Sequence, residues 1–439
     1  QGTSTSMPMI VADELDVDLS KVKVEQAPAN PKLYANPVTG NQSYGGSRGI
    51  RDHIAMWRKA GAAAREMLKQ AAANEWGVPL GEVDTEPGVV VHRPSGRRLS
   101  YGALVDKAQQ LPVPQNPPLK TPDRFRYIGK EFARLDVPSK IDGRAVFGID
   151  VKLPGMLYAS IERPPVVAGA KVKSFDATAA KQVKGVKDVV QVTHGLAVVA
   201  NSSWAALTGR RALKVEWDEG PLATLTSAQI TREYETLIRE PGREARKAGD
   251  AGQALGTSGR TIEAIYQVPF LEPACMEPMN STAHVTADAC TVWAPTQNPG
   301  NAQATAARLT GLPPEKVAVH TPLLGGGFGR RGEVDYVIDA VEVAKAVGAP
   351  VKVFWTREDD IRHGFYRPAT YNHFRAALAA DGTPVAWWHR IVGPGILSQR
   401  GRVRPGTVDA SAVAAAADMP YDIPNILVEW KEKDFGVPV

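Results

Sequence analysis

The chain has 439 residues, 43% hydrophobic, 23% charged and 7% aromatic, enough to bury more than one core, so two or three domains are expected. Lys and Arg number 52 against 47 Asp and Glu, a net charge of +5 with no long block of one sign, which excludes a purely electrostatic nucleic-acid binder. Forty Gly and 34 Pro without a period exclude collagen and point to many turns, and two Cys are too few for a disulfide framework or a four-thiolate metal site.

The opening Gln1-Gly2-Thr3 lacks a Met, and the close on Gly436-Val437-Pro438-Val439 follows a strand-like run, so the sequence reads as an internal piece. No apolar run approaches the roughly 20 residues of a transmembrane helix. Met9, Ile10, Val11, Leu15, Val17 and Leu19 predict a helix turning into a connector over 7–19, then a strand at Val22-Lys23-Val24. A turn-rich loop over 36–49 contains Gly45-Gly46-Ser47. It precedes a long helix expected over 50–74, where Ile54, Trp57, Ala64, Met67, Leu68 and Ala71 recur at helical spacing with the small Gly61 on the same stripe. Amides in that loop could hold an anion, or Ser47 could simply cap the helix. Five prolines over 111–125 exclude a helix or central strand and read as a domain linker.

Residues 137–217 alternate short strands and helices: strands at 156–161, 189–192, 196–200 and 213–217, and a helix through Trp204-Ala205-Ala206. They predict a compact α+β domain. A polar stretch over 218–258 is expected to wrap towards the next domain. Strands and helices then resume to Val439, ending in runs at 384–388 and 426–430.

Two segments carry candidate chemistry. Leu324-Gly325-Gly326-Gly327-Phe328-Gly329-Arg330-Arg331 offers a backbone that can approach a ligand closely, and paired guanidiniums suited to a phosphate or a pterin edge. It matches neither a Walker loop nor a dinucleotide fingerprint, and alone it could be a tight turn. Ahead of it, Trp293-Ala294-Pro295-Thr296-Gln297-Asn298 predicts a strand end followed by a helix over 301–310. The 31 residues from Gln297 to Phe328 allow a helix and a strand to return to the same edge, so a side-chain amide and the glycine loop would converge; alone, Gln297 could be a turn amide. Eight His include no His-Glu-x-x-His spacing, which counts against zinc or non-haem iron. His363 reads as a solvated loop residue, Cys275 and Cys290 as buried thiols, and Trp387-Trp388 as half core, half surface.

Thr296-Gln297-Asn298, a helix, Leu312-Pro313-Pro314-Glu315-Lys316-Val317, a strand and then the glycine loop resemble the molybdenum-binding region of the xanthine oxidase and aldehyde oxidase molybdenum hydroxylases. The opening Gln1-Gly2-Thr3-Ser4-Thr5 resembles that family's Gly-Gln-Gly loop at the pterin dinucleotide, and Gly45-Gly46-Ser47 falls where the family has a second small-residue loop. The Gly-Gln-Gly-like loop precedes the Gly-Gly-Phe-Gly loop at 326–329 here, the reverse of their order in xanthine dehydrogenases. With Met276-Glu277-Pro278-Met279-Asn280, that order resembles the isoquinoline 1-oxidoreductase β-subunit branch.

The resemblance implies an α+β, multi-domain molybdopterin-binding fold with an inserted small hammerhead-like α+β domain. Residues 1–120 would belong to the second molybdenum domain, 121–220 to the hammerhead-like domain and 221–439 to the first molybdenum domain, incomplete at its end. It implies Gln297 as the catalytic-site amide, and Gln1, Gly2, Thr3, Gly45, Gly46, Ser47, Gln297, Gly326, Gly327, Phe328, Gly329 and Arg330 as cofactor-binding residues. Glu333 would face the substrate pocket, and no side chain would bind the metal directly. The cofactor would be molybdopterin cytosine dinucleotide, used to hydroxylate an electron-poor C–H carbon of an N-heteroaromatic ring or an aldehyde with oxygen from water. The catalytic Glu is expected outside this chain, because Glu272-Pro273 and Glu277-Pro278 have the wrong context and read as structural or pocket-wall residues. Electrons would leave through [2Fe-2S] clusters on a small partner subunit, with a c-type cytochrome as a further partner beside the remaining part of the large subunit. The branch implies the periplasm or the periplasmic side of a membrane, with the cytoplasm as alternative. A rival reading is a non-catalytic, scaffold-like fragment that docks to partner chains.

Overall fold

The first apolar pattern forms a helix over Thr3–Leu15, which packs on the long helix Ile54–Trp76 in a computed structural model that describes residues 2–439. The two helices approach closely because Gly61 sits at the crossing: a Cβ there would lie 2.8 Å from the Val11 carbonyl oxygen and 2.9 Å from the Glu14 Cβ. Gly61→Val is therefore expected to destabilise this part of the chain by about 1–3 kcal/mol, read as a lowered denaturation midpoint. Two local expectations fail. Residues 22–24 form no strand, following instead a 3₁₀ turn at Leu19–Lys21, and the long helix begins at Ile54 after a separate four-residue turn at Arg48–Arg51.

Cα packing divides the chain into two units, one holding residues up to Val151 together with Asp288–Leu324, the other Lys152–Ala287 and Gly325–Val439. In the first unit, antiparallel strands Val83–Glu86, Val89–His92 and Arg98–Ser100 cover the long helix around Leu68, Ala72, Val83, Val90 and Leu104. The proline-rich run is no linker between units: it lies within this one as a strap. Lys120 N donates to Glu14 Oε2 at 3.1 Å, and Arg58 Nη2 donates to the Lys120 carbonyl at 2.6 Å. Asp13 is fully buried and accepts from the amides of Arg126, Tyr127 and Ile128 at 2.7–3.1 Å, fixing the chain beyond the strap. The unit also holds the parallel strands Cys290–Trp293 and Val317–His320, joined by the helix Pro299–Thr310 as the sequence predicts.

The second unit contains Leu157–Glu162, Val186–Val192 and Gly195–Ala200, with the helix Ser203–Arg211, close to where the alternating pattern put them. Gly195–Ala200 is buried at every position, as a continuous apolar run requires, and pairs antiparallel with strands on both sides. Leu157–Glu162 continues in parallel to Val351–Phe354, which pairs antiparallel with Asn280–Val285. A second sheet runs in the order Thr261–Val268, Thr370–Leu378, Pro384–Gly393, Asn425–Glu432, Arg243–Ala248. Its last member corrects the reading of 218–258 as a wrapping segment. That stretch folds into the helix Ser227–Leu237, the edge strand Arg243–Ala248 and the helix Ala251–Thr257, with Ile230, Tyr234 and Ile238 buried against Ala369 and Val392. The architecture is thus mixed helix and sheet, as expected.

Candidate functional site

In the first unit, Gln42 organises the approach to the 45–47 turn: its Oε1 accepts from Asn30 N at 2.7 Å and its Nε2 donates to the Pro28 carbonyl at 2.8 Å. Gly46 and Ser47 then take left-handed backbones, φ 55° and 56°, unusual for Ser. Ser47 leads into Arg48–Arg51 but accepts no capping hydrogen bond, so the simple N-cap alternative does not hold. The neighbouring Tyr44 pairs with Gln297 twice. Tyr44 N donates to the Gln297 carbonyl at 2.9 Å, and Gln297 Nε2 donates to the Tyr44 carbonyl at 3.1 Å. Tyr44 Oη also donates to the Thr296 carbonyl, and Asn298 caps the following helix through its side-chain oxygen. The structure therefore brings together the Gly45-Gly46-Ser47 loop and Gln297, two segments that the sequence reading treated separately. Gln297 is only 8% exposed, so its amide is held in one orientation. Gly2 is the left-handed residue before the first helix, φ 75°, and Thr3 opens that helix; the expectation for Gln1 falls outside the described residues.

In the second unit the glycine loop is built on Glu277. Glu277 N and Gly325 N each donate across the pair, to the Gly325 carbonyl at 3.1 Å and to Glu277 Oε2 at 2.8 Å. A Cβ at position 325 would sit 2.4 Å from that of Glu277, so glycine is required. Gly326 and Gly329 have φ 97° and 93°, and Phe328, between them, adopts φ 51° and is 65% exposed. Among the described residues, the amides of Gly326, Gly327 and Phe328 donate to no other group. Left-handed peptides with undonated amides beside an exposed ring fit a planar, polar group laid against the backbone.

The paired arginines do not present charge to such a group. Arg330 and Arg331 are almost fully buried; Arg330 makes a two-pronged contact with Asp335 at 2.9 and 2.7 Å, and Arg331 reaches Glu277 Oε2 at 3.0 Å. This corrects the expectation of guanidiniums facing a phosphate or pterin edge: buried cations need buried carboxylates, and both partners lie on this chain. Glu333, expected at the substrate pocket, is half-buried and ion-paired to Arg400.

Glu272 lies behind the loop with both carboxylate oxygens buried and without a hydrogen-bond partner, Arg330 Nε standing 3.9 Å away. Gly364 makes room for it, since a Cβ there would meet Glu272 Oε2 at 1.7 Å. Burial pushes the Glu272 carboxyl from its ordinary 4.5 up to about 8, against the pull of Arg330. Folding therefore takes up a proton here. The stability tied to Glu272 is fully present below pH 4.5 and is lost as pH rises through about 8. The melting temperature of wild type is expected to fall between pH 5 and 8.5, and Glu272→Gln to flatten that decline in a pH series of thermal melts.

Other readings divide. Cys275 and Cys290 are buried, free thiols, and burial pushes Cys290 up to about 11. Trp387 and Trp388 are each half-buried, with Trp388 Nε1 donating to Glu429 at 3.0 Å. His363 ends the helix Arg357–His363 rather than lying in a loop and is half-buried; burial, with Arg163 nearby, pushes it down to about 4. Two devices escaped sequence reasoning. One is the Glu277–Arg331 pair, 54 residues apart in the chain. The other is Asp339, a fully buried acid that accepts from Arg163 Nη2 at 2.5 Å, contacts His194 Nδ1 at 2.6 Å and accepts from Trp355 Nε1 at 3.2 Å. Its signal was available: an acid set among the apolar positions of the Asp335–Val347 helix.

Two family profiles, each described as a molybdopterin cofactor-binding domain, match residues 1–142 and 235–432. The chain belongs to the molybdenum hydroxylase family that includes xanthine oxidase. The isoquinoline 1-oxidoreductase subunit beta of Brevundimonas diminuta is 35% identical over 91% of this chain and 57% of its own length. A membrane-bound aldehyde dehydrogenase of Gluconacetobacter polyoxogenes is 32% identical over 87% of this chain and 50% of its own. The chain thus spans about half the length of these curated relatives. Among solved structures, quinoline 2-oxidoreductase from Pseudomonas putida 86 shares the fold with a TM-score of 0.55 and 21% identity, over 69% of this chain and 44% of that one.

Proposed function

We propose that this chain is the molybdenum-cofactor-binding part of an oxidoreductase that hydroxylates an electron-poor C–H carbon, in an N-heteroaromatic ring or an aldehyde, with oxygen from water. The observation that carries this reading is the reciprocal bonding of Tyr44 and Gln297, which joins two loops that the resemblance assigns to the cofactor. The relatives named for isoquinoline and aldehyde oxidation support the substrate classes.

In this reading Gln1, Gly2, Thr3, Gly45, Gly46, Ser47, Gln297, Gly326, Gly327, Phe328 and Gly329 are cofactor-binding residues, and Arg330 acts through the loop's shape. The cofactor is molybdopterin cytosine dinucleotide, and it supplies an activated oxygen and a two-electron acceptor. The chain's residues bind it through backbone amides, orient it with the Gln297 amide and exclude water with the Phe328 ring. The base is a Glu beyond the matched half. Electrons leave through [2Fe-2S] clusters on a small partner subunit towards a cytochrome, on the periplasmic side of a membrane. Residues 1–120 and 221–439 act as the two cofactor-binding parts and 121–220 as the hammerhead-like part.

Elemental analysis of the purified assembly tests this. Molybdenum and iron are both expected, with cytidine monophosphate released on acid hydrolysis; an assembly that folds without molybdenum overturns the reading.

A further inference from the structure

The glycine loop is bonded to an ion pair several of whose contacts end on the loop's own backbone. Glu277 accepts from Gly325 N at 2.8 Å and from Asn280 Nδ2 at 2.9 Å, while its main chain exchanges a further hydrogen bond with Gly325. Arg331 Nε donates to the Gly326 carbonyl at 2.8 Å, and Arg331 Nη2 donates both to the Glu277 carbonyl at 2.6 Å and to Glu277 Oε2 at 3.0 Å. Arg331 is fully buried and the Glu277 side chain is 7% exposed. One carboxylate and one guanidinium thus hold the Gly325 amide and the Gly326 carbonyl. The amides of Gly326, Gly327 and Phe328 donate to no group among the described residues.

We propose that Glu277 and Arg331 are positioning residues, a clamp that sets the Gly326–Gly329 backbone, left-handed at Gly326, Phe328 and Gly329, in its cofactor-receiving shape. The inference rests on the reading of this loop as cofactor-binding and adds residues that make no contact with the cofactor. Three features separate a clamp from ordinary core packing. The pair is charged and buried, where hydrophobic residues of similar volume would cost less. The planar fork of Arg331 fixes the direction of the Gly326 carbonyl as well as its distance. Phe328, between the held peptides and Gly329, takes a conformation that L side chains rarely adopt, and such a conformation persists only where the surroundings over-determine it.

The test uses the complete enzyme assembly carrying Glu277→Gln, which keeps an acceptor for Gly325 N but removes the charge, and Arg331→Lys, which keeps the charge but removes the fork. Amide exchange of a peptide spanning 323–332, molybdenum per chain and the thermal midpoint are measured on each. The expected result is exchange about tenfold faster in that peptide and unchanged in the strands of the same unit, at least a threefold loss of retained molybdenum, and an altered Mo(V) paramagnetic resonance line shape. The midpoint should move by only a few degrees. Wild-type exchange in the 323–332 peptide, or wild-type molybdenum content and line shape, in folded variants overturns the clamp. Faster exchange throughout the unit, or failure of both variants to fold, assigns the pair to the core and overturns it equally. A wild-type assembly lacking molybdenum would instead overturn the functional reading, while exchange on that metal-free protein still reports whether the pair fixes the loop.

Discussion

Gln297→Ala is expected to lower turnover of the assembled enzyme about 10²-fold per bound molybdenum with little change in folding. The main-chain half of the Tyr44–Gln297 pairing survives the substitution, because Tyr44 N donates to the Gln297 carbonyl. The side-chain bond to the Tyr44 carbonyl is lost, worth about 1 kcal/mol. A preorganised amide aimed at a reacting group contributes far more than that to a barrier, since no reorganisation is needed at the moment of reaction. Steady-state kinetics normalised to metal content, together with a thermal melt, separate the two effects. Unchanged turnover would remove Gln297 from the chemistry.

Asp339→Ala should give the largest loss of stability, about 3–5 kcal/mol, read from denaturant unfolding of the second unit. The substitution strands Arg163, itself buried with its guanidinium 3.8 Å from the Trp355 ring centre, and removes the acceptor for the Trp355 indole. Asp339→Asn keeps the shape but not the charge, so it should cost less. The acid limb carries the same information. Burial opposes ionisation of Asp339, yet Arg163 and His194 outweigh it and hold the carboxyl down at about 2, from an ordinary 3.8. Because the folded value is depressed, its stabilisation is complete above pH 3.8 and is lost as pH falls towards 2. The asparagine variant should lack that acid-side loss.

Legibility in the sequence followed the range of the interactions. Gly195–Ala200 and the stripe carrying Gly61 were readable because period and apolarity act within one element. The edge strand Arg243–Ala248 was not, since it is charged along its length and becomes a strand only by pairing with Asn425–Glu432, about 180 residues away. The helix Ser227–Leu237 was a different failure: Ile230, Tyr234 and Ile238 behind the Thr226 cap were a usable signal, obscured by the polar average of the stretch. At the candidate site, residue types and order were legible, and so was the need for glycine. The inward turn of Arg330 and Arg331 was not, because two adjacent arginines look alike whether they meet a ligand or the acids Asp335 and Glu277.

The interleaving of the two units also sets the order of events during synthesis. Tyr44 waits for a partner 253 residues downstream, so the first unit stays open while the intervening chain emerges. At about 5–20 residues per second on the ribosome, that interval lasts roughly ten seconds to a minute. Throughout it, the apolar stripes of the two crossing helices can pair, but the 45–47 loop has no neighbour to brace it. A truncation ending before residue 297 would freeze the chain in this half-built form, with a helical N-terminal nucleus and an unsupported loop.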